Sequence, residues 1–395
     1  MSSQSGVLFR ITTFGESHGP GVGVVIDGCP AGMRIDWEAV QAQLARRRPG
    51  QSHLTTQRKE PDLLEVLSGV YEERSLGTPI AVLVRNTDSR SKDYDGFSQV
   101  YRPSHADYTY HIKYGHRTPH GGGRASVRET IGRVIAGSVA EQILKNELGM
   151  ETVGWVDSIG EIEASVFENP PIDRSVVDQS LVRCPDPQKS DRMIALVEQV
   201  KKAGDSVGGT VGLIVRNVPP GLGEPVFDKL EAELAKACLS IPACKGFESG
   251  SGFQGTRGRG SEHNDLFYNE GQPSASREPP PVPFENVPDL KTRSNRSGGI
   301  QGGITNGMPI TMRVAFKPTA TIFQTQTTAD EYGAEVELQA RGRHDPCVLP
   351  RAVPIVESVV NLVLVDAYLQ QRARNPVWWE RYALDRKKSA AVETP

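Results

Sequence analysis

Eight histidines are the first candidates for chemistry: His18, His53, His105, His111, His116, His120, His263 and His344. All lie in polar, glycine-rich surroundings that read as loops, and none falls on an apolar helix face. His18 sits inside Gly15-Glu16-Ser17-His18-Gly19, and His344 inside Gly342-Arg343-His344-Asp345. Glycine lets backbone approach a bound molecule closely. An imidazole titrates near neutral pH, as a general acid must. These two positions are therefore candidate proton donors. His105, His111, His116 and His120 follow one another at intervals of six, five and four residues. No HExxH pattern occurs and no acidic ligand falls at helical spacing. They read as surface or hydrogen-bonding histidines, and no metal is expected.

The arginines point to the ligand. Arg46, Arg47 and Arg48 end an expected helix. Arg102, Arg117, Arg124 and Arg128 crowd one loop, and Arg343 and Arg351 flank another segment. They neighbour glycine-rich turns and histidines rather than regularly spaced Asp or Glu, unlike a solvated face of surface ion pairs. Guanidinium groups grip carboxylates and phosphates bidentately, so such a site expects a ligand with several negative charges. The Arg46–Arg48 run would also offset its helix dipole. Gly121-Gly122-Gly123-Arg124-Ala125-Ser126 feeds a helix, and such an N-terminus accepts a phosphate. Ser126 and Glu129 also have capping-box spacing, which needs no ligand. The glycines from Gly19 to Gly23 lack the downstream acid of a dinucleotide site. Residues 255–264, with one RGRG and no interleaved aromatics, read as a flexible loop rather than a nucleic-acid segment.

These groups must be carried by mixed elements. Strands are expected on both sides of the 15–23 loop, at 80–84, 153–165, 209–218 and 308–317, the last from the alternation Ile310, Met312, Val314, Phe316. Asp36 caps a helix with Trp37, Val40 and Leu44 on its apolar face. Further helices are expected at 126–148, 190–203 and 225–239. A last one at 352–374 is apolar nearly all round and should lie at the centre of the fold. Residues 102–124 read as an ordered loop. Without regular βαβ alternation the fold class is α+β.

The 395 residues carry 45 Lys and Arg against 48 Asp and Glu, a net charge of −3. No global basic field recruits nucleic acid or an anionic membrane. No apolar run reaches the ~18 residues of a membrane span, and the N-terminus lacks a signal-peptide core. Five scattered cysteines include no CxxC pair, which fits a reduced, cytoplasmic protein. A proline-rich surface loop is expected at 273–288 and a polar, fraying tail at 376–395, leaving one catalytic domain over residues 1–375.

Longer strings carry a resemblance. Phe14-Gly15-Glu16-Ser17-His18-Gly19, Arg46-Arg47-Arg48-Pro49-Gly50, Thr55 to Asp62, Arg102-Pro103-Ser104-His105-Ala106-Asp107, Gly121 to Arg124, Gly260 to Asp265 and Gly342 to Cys347 closely resemble the chorismate synthase family. The likeness runs from about residue 7 to residue 373. It implies a single large α+β domain with a helical layer sandwiched between antiparallel β-sheets. It implies anti-1,4-elimination of phosphate and a ring proton from 5-enolpyruvylshikimate 3-phosphate, giving chorismate at the last step of the shikimate pathway. The resemblance further implies reduced FMN (FMNH2), NADPH as an indirect reductant, and a homotetramer.

Carried over by motif, His18 matches the family histidine at the leaving phosphate and His105 the one at the reduced flavin. Asp345, with Ser17, matches the residues assigned to the flavin N5 proton. Flavin contacts fall on Arg124, Ala125, Ser126, Ala243, Gly302, Lys317, Pro318, Thr319, Ala320, Thr321 and Arg343. Substrate contacts fall on Arg47, Arg48, Arg102 and Arg128. The sequence departs from the family pattern at Ala125, where a serine is common, at Thr118-Pro119-His120, and at His53, where some members have arginine. Two other readings compete: a non-catalytic flavin- or phosphate-binding protein, which would need neither His18 nor His105, and a nucleic-acid module, which the net charge disfavours.

Overall fold

The computed structural model describes residues 3–56, 60–87, 99–118, 121–164, 173–271, 288–339 and 344–382. The alternating run becomes the strand Ile310–Phe316, with Ile310, Met312, Val314 and Phe316 buried on one face. It pairs antiparallel with Gly209–Arg216 and with Cys244–Ser249. Glu151–Ile159 and Ile162–Glu163 complete a five-stranded antiparallel sheet. The other five-stranded antiparallel sheet, the first in chain order, runs Gln4–Ser5, Arg10–Gly15, Gly21–Asp27, Ile80–Arg85, Leu64–Ser68.

Helix α1, Trp37–Arg47, starts where Asp36 accepts from the Ala39 N–H. Helix α2 is Asp107–Tyr114 and α3 is Thr130–Leu148. Helices α4, Arg174–Gln179, and α5, Pro187–Lys202, follow, then α6, Leu230–Leu239. Two single turns, α7 (Gly252–Gly255) and α8 (Gly260–His263), precede α9, Leu349–Arg374. Helix α3 lies on the first sheet, α9 on the second, and the two pack on each other. A methyl at Gly137 would stand 2.5 Å from the Ser358 Cβ, so small residues set the close approach of α3 to α9. The result is the α+β domain expected, with a helical layer between two antiparallel sheets. By composition α9 alone is long and apolar enough to cross a membrane, among the described residues, which the reading of apolar runs did not anticipate. With 78% of its apolar window buried, it is packed as the core helix.

Several local expectations change. Residues 102–124 are not all loop. They contain α2, whose Tyr and His content hides it from apolar periodicity and puts His111 on a helix. The 255–264 loop holds two helical turns, and the Arg259 N–H donates to the Glu262 carboxylate at 3.1 Å. The helix expected from 225 begins at Leu230, and Phe227 is 88% exposed. The polar tail begins later than 376. Residues 376–382 are helical, Trp378 is buried, and its Nε1 donates to the Pro220 carbonyl at 2.8 Å. The proline-rich loop, apart from Pro288, lies outside the described residues.

Candidate active site

The strand Arg10–Gly15 ends at a glycine with φ +85°, where a Cβ would stand 2.1 Å from the Gly21 carbonyl oxygen. The chain turns back there and presents Ser17 and His18, with Ser17 Oγ 3.0 Å from His18 Nδ1. The next wall is Gly121, at φ +71°. A Cβ on it would lie 2.2 Å from His18 Nδ1, so the glycine makes room for the imidazole. The Gly121 carbonyl accepts from Arg102 at 3.0 Å. Arg102 forks onto Asp107, Nε to Oδ2 and Nη2 to Oδ1, both at 2.7 Å. Asp107 also takes His105 Nδ1 at 2.9 Å. Burial pushes the Asp107 carboxyl up, but the hydrogen bonds from Arg102 and His105 outweigh it and hold it well below the usual carboxylate range. Ser104, at φ +55°, supplies the turn that places His105. One chain of contacts thus joins His18 to His105.

His105 opens onto a cavity of about 430 Å³ between the N-terminal turns of α3 and α9 and the strand end at Phe316. Five fixed cations line it (Arg47, Arg102, Arg128, Lys317 and Arg351) against one carboxylate, Asp345. The arginine surplus expected from the sequence is largely neutralised by carboxylates, some near in the chain and some remote. Asp62, its side chain wholly buried, lies 3.2 Å from Arg47 and 2.9 Å from Arg128. Glu60 stands 3.6 Å from Arg128. Arg351 pairs with Asp345 and donates to the Arg47 carbonyl at 3.0 Å. Asp345 also accepts from the Thr56 N–H at 2.9 Å. Among the described residues no carboxylate pairs with Lys317. Burial and the neighbouring Lys245 both lower its ammonium pKa, so an anion there would relieve both. Ile241, Phe316, Val348 and Ile355 form an apolar bed beside Lys317, Thr319, Thr321 and Ser126. A flat ring with a phosphate tail fits that donor set. Of the eight non-glycine residues at positive φ among the described residues, three lie at or beside this cavity: Asp62 (+48°), Ser104 (+55°) and Ala243 (+68°). Such strain persists where the surroundings over-determine it, commonly at functional sites.

Of the residues singled out from sequence, His105, His344, Asp345, Ala125, Ser126, Ala243, Lys317, Thr319, Ala320, Thr321, Arg47, Arg102, Arg128 and Arg351 line this cavity. Ser17 and His18 do not line it; they stand against Gly121, the neighbour of the lining Gly122. Arg124 spends its donors on the Gly15 and Thr13 carbonyls, at 3.0 and 3.1 Å, so its side chain fastens the glycine loop to the first sheet. Its backbone neighbours reach the cavity instead. Pro318 and Arg48 are exposed. Gly302 sits in the turn joining Ile300–Gln301 to Ile304–Thr305, away from the cavity. Arg343 and His120 lie outside the described residues. The capping box at Ser126 does not form. Ser126 Oγ accepts from the Arg128 N–H, while Glu129 takes Thr13 Oγ1 at 2.7 Å and Arg133 at 3.0 Å. Among the described residues no three His, Cys, Asp or Glu converge as a metal site. Sequence reasoning did not single out Asp62, Glu60, Asp107 or Thr56. All four lie inside the recurring strings, and that was the available signal.

The fold and the site define an α+β protein whose cavity is lined by four arginines, a lysine and two histidines, His105 and His344. Comparison with known proteins narrows this. The sequence model of chorismate synthase matches residues 9–369. The chain is 57% identical over 384 residues to chorismate synthase from Leptospira biflexa, covering 97% of this chain and 98% of that one. It is 56% identical over 374 residues to the enzyme from Synechocystis, covering 95% and 99%. A crystal structure of chorismate synthase superposes with a TM-score of 0.72 at 29% identity, covering 96% of this chain and 98% of that one. The chain belongs to the chorismate synthase family.

Proposed function

We propose that the Arg47–Arg128–Asp345–Lys317 cavity is where this chain, a lyase of the last step of the shikimate pathway, turns 5-enolpyruvylshikimate 3-phosphate into chorismate. Lys317 carries the reading, because among the described residues no carboxylate pairs with it, which leaves an anion to be supplied by a ligand. Arg47, Arg102 and Arg128, with Arg48 at the rim, hold the substrate's carboxylates and phosphate. Ala125, Ser126, Ala243, Lys317, Thr319, Ala320 and Thr321 bound the flavin region, and Arg124, Gly302, Pro318 and Arg343 are carried with them as family flavin positions. When bound, reduced FMN supplies the electron density that lets phosphate leave. His18 gives its proton to the departing phosphate. His105, oriented by Asp107, holds a proton against the flavin, and Asp345 with Ser17 moves the proton at flavin N5. The low-dielectric pocket strengthens each of these contacts once water is excluded. We also assign a cytoplasmic homotetramer, one catalytic domain, NADPH as an indirect reductant, and no nucleic-acid or membrane partner.

The test is anaerobic turnover with reduced FMN for His18→Ala and His105→Ala. Each should fall at least ~100-fold, the usual scale for a general acid. Near wild-type rates in both would remove the histidines from the mechanism.

A further inference from the structure

We infer that Asn86 is a positioning residue whose carboxamide locks the loop bearing Ser17 and His18 to the guanidinium of Arg128. The inference rests on the roles proposed for His18 and Arg128. Asn86 directly follows the strand Ile80–Arg85, so its backbone is anchored in the first sheet. Its Nδ2 donates to the Glu16 carbonyl at 2.9 Å and to the Gly19 carbonyl at 2.7 Å. Those two carbonyls bracket Ser17 and His18. Its Oδ1 accepts from Arg128 Nε, and its backbone N–H donates to the Pro20 carbonyl at 3.1 Å. The neighbours fix the orientation of the amide. Turned over, it would set its oxygen against two carbonyls and its NH2 against a guanidinium.

The loop has its own closing bond, Gly19 N–H to Glu16 carbonyl at 3.2 Å. That bond shapes the turn but does not say where the turn sits relative to the cavity. Asn86 does, because its other end grips Arg128, itself pinned by Asp62 at 2.9 Å. The next residue reinforces the frame. Thr87 donates to Glu60 through both its N–H, at 3.1 Å, and its hydroxyl, at 3.0 Å, and Glu60 faces Arg128. A proton donor and an anion-binding cation that serve one ligand must hold a common register. One amide spans the two.

The experiment is a double-mutant cycle in the anaerobic assay with reduced FMN, using wild type, Asn86→Ala, His18→Ala and the double variant. A displacement of about 1 Å costs on the order of 100-fold in rate, so Asn86→Ala should lower kcat by about ten- to a hundredfold. In the His18→Ala background the same change should lower kcat less than about twofold, since the group it positions is already gone. Asn86→Asp keeps an acceptor for Arg128 but faces two carbonyls with a carboxylate. It should lower kcat while leaving KM for 5-enolpyruvylshikimate 3-phosphate near the wild-type value. It also stands in for the alanine variant if that one does not fold. An equal fold-loss from Asn86→Ala in both backgrounds would show a merely structural role and overturn the inference, as would unchanged kcat in Asn86→Asp. Wild-type turnover in His18→Ala alone would instead overturn the role of His18, a distinguishable failure.

Discussion

Replacing Asp62 tests whether the site is held by buried ion pairs. Its carboxylate sits between Arg128, at 2.9 Å, and Arg47, at 3.2 Å, with all three side chains almost wholly buried. At an effective dielectric of ~20, each contact has a gross Coulomb energy of roughly 5–6 kcal/mol. Desolvation offsets much of this, but removing one member of a buried pair typically costs about 3–5 kcal/mol because a charge is left stranded. Asp62→Ala strands two. It also puts alanine at φ +48°, a conformation costing about 1 kcal/mol beyond what aspartate pays. The expected loss for Asp62→Ala is therefore roughly 4–6 kcal/mol, a large share of the ~5–15 kcal/mol that a native protein holds. Asp62→Asn keeps an acceptor and a side chain at ease at positive φ, and should lose about 1–2 kcal/mol less. Urea unfolding measures both, with an unchanged m-value certifying that stability alone has moved. An anion such as inorganic phosphate should stabilise the alanine variant more than the wild type. A loss below ~1 kcal/mol for Asp62→Ala would refute the premise that this carboxylate holds the two arginines.

Three further outcomes follow from the geometry. Gly121→Ala should lose activity comparably to His18→Ala, because its methyl would stand 2.2 Å from the His18 ring at a strained φ of +71°; full activity would mean that the ring is free to move. Arg124→Ala should loosen the glycine loop from the strand Arg10–Gly15, lowering the melting temperature and weakening FMN affinity together; an unchanged flavin dissociation constant would place the flavin phosphate elsewhere. The Asp107 carboxyl is depressed in the fold, so its stabilising contribution is complete above the unfolded carboxylate pKa of ~3.9 and fades as pH falls through the lower folded value. Asp107→Asn should therefore be destabilised at pH 7 and converge on wild type in strong acid, and a pH-independent difference would contradict the pairing with Arg102 and His105.

What the sequence disclosed follows the range of the forces. Asp36 as a helix cap, the alternation from Ile310 to Phe316 and the all-round apolar face of α9 are local rules, and each was legible. The histidine-bearing glycine loops were legible too, since Gly15 and Gly121 mark places where only glycine leaves room. Helix α2 was not, because Tyr108, Tyr110, His111 and Tyr114 carry no apolar period. Trp378 was hidden among the charged residues of the C-terminal segment, although its indole is large enough to join the core. The deepest miss is electrostatic. Arg47 and Arg128 meet at Asp62 from 15 and 66 residues away, and no spacing rule reaches that far. The arginines announced an anion site, while the carboxylates that hold them open became visible only in the fold.

The central claim is tested most directly by anaerobic incubation with photoreduced FMN and 5-enolpyruvylshikimate 3-phosphate, following chorismate absorbance and released phosphate. Parallel incubations contain oxidised FMN alone or oxidised FMN with NADPH. The account predicts equal yields of chorismate and phosphate with reduced FMN, and no turnover in the other two. Absence of turnover with reduced FMN, in protein that still binds the flavin, would contradict it.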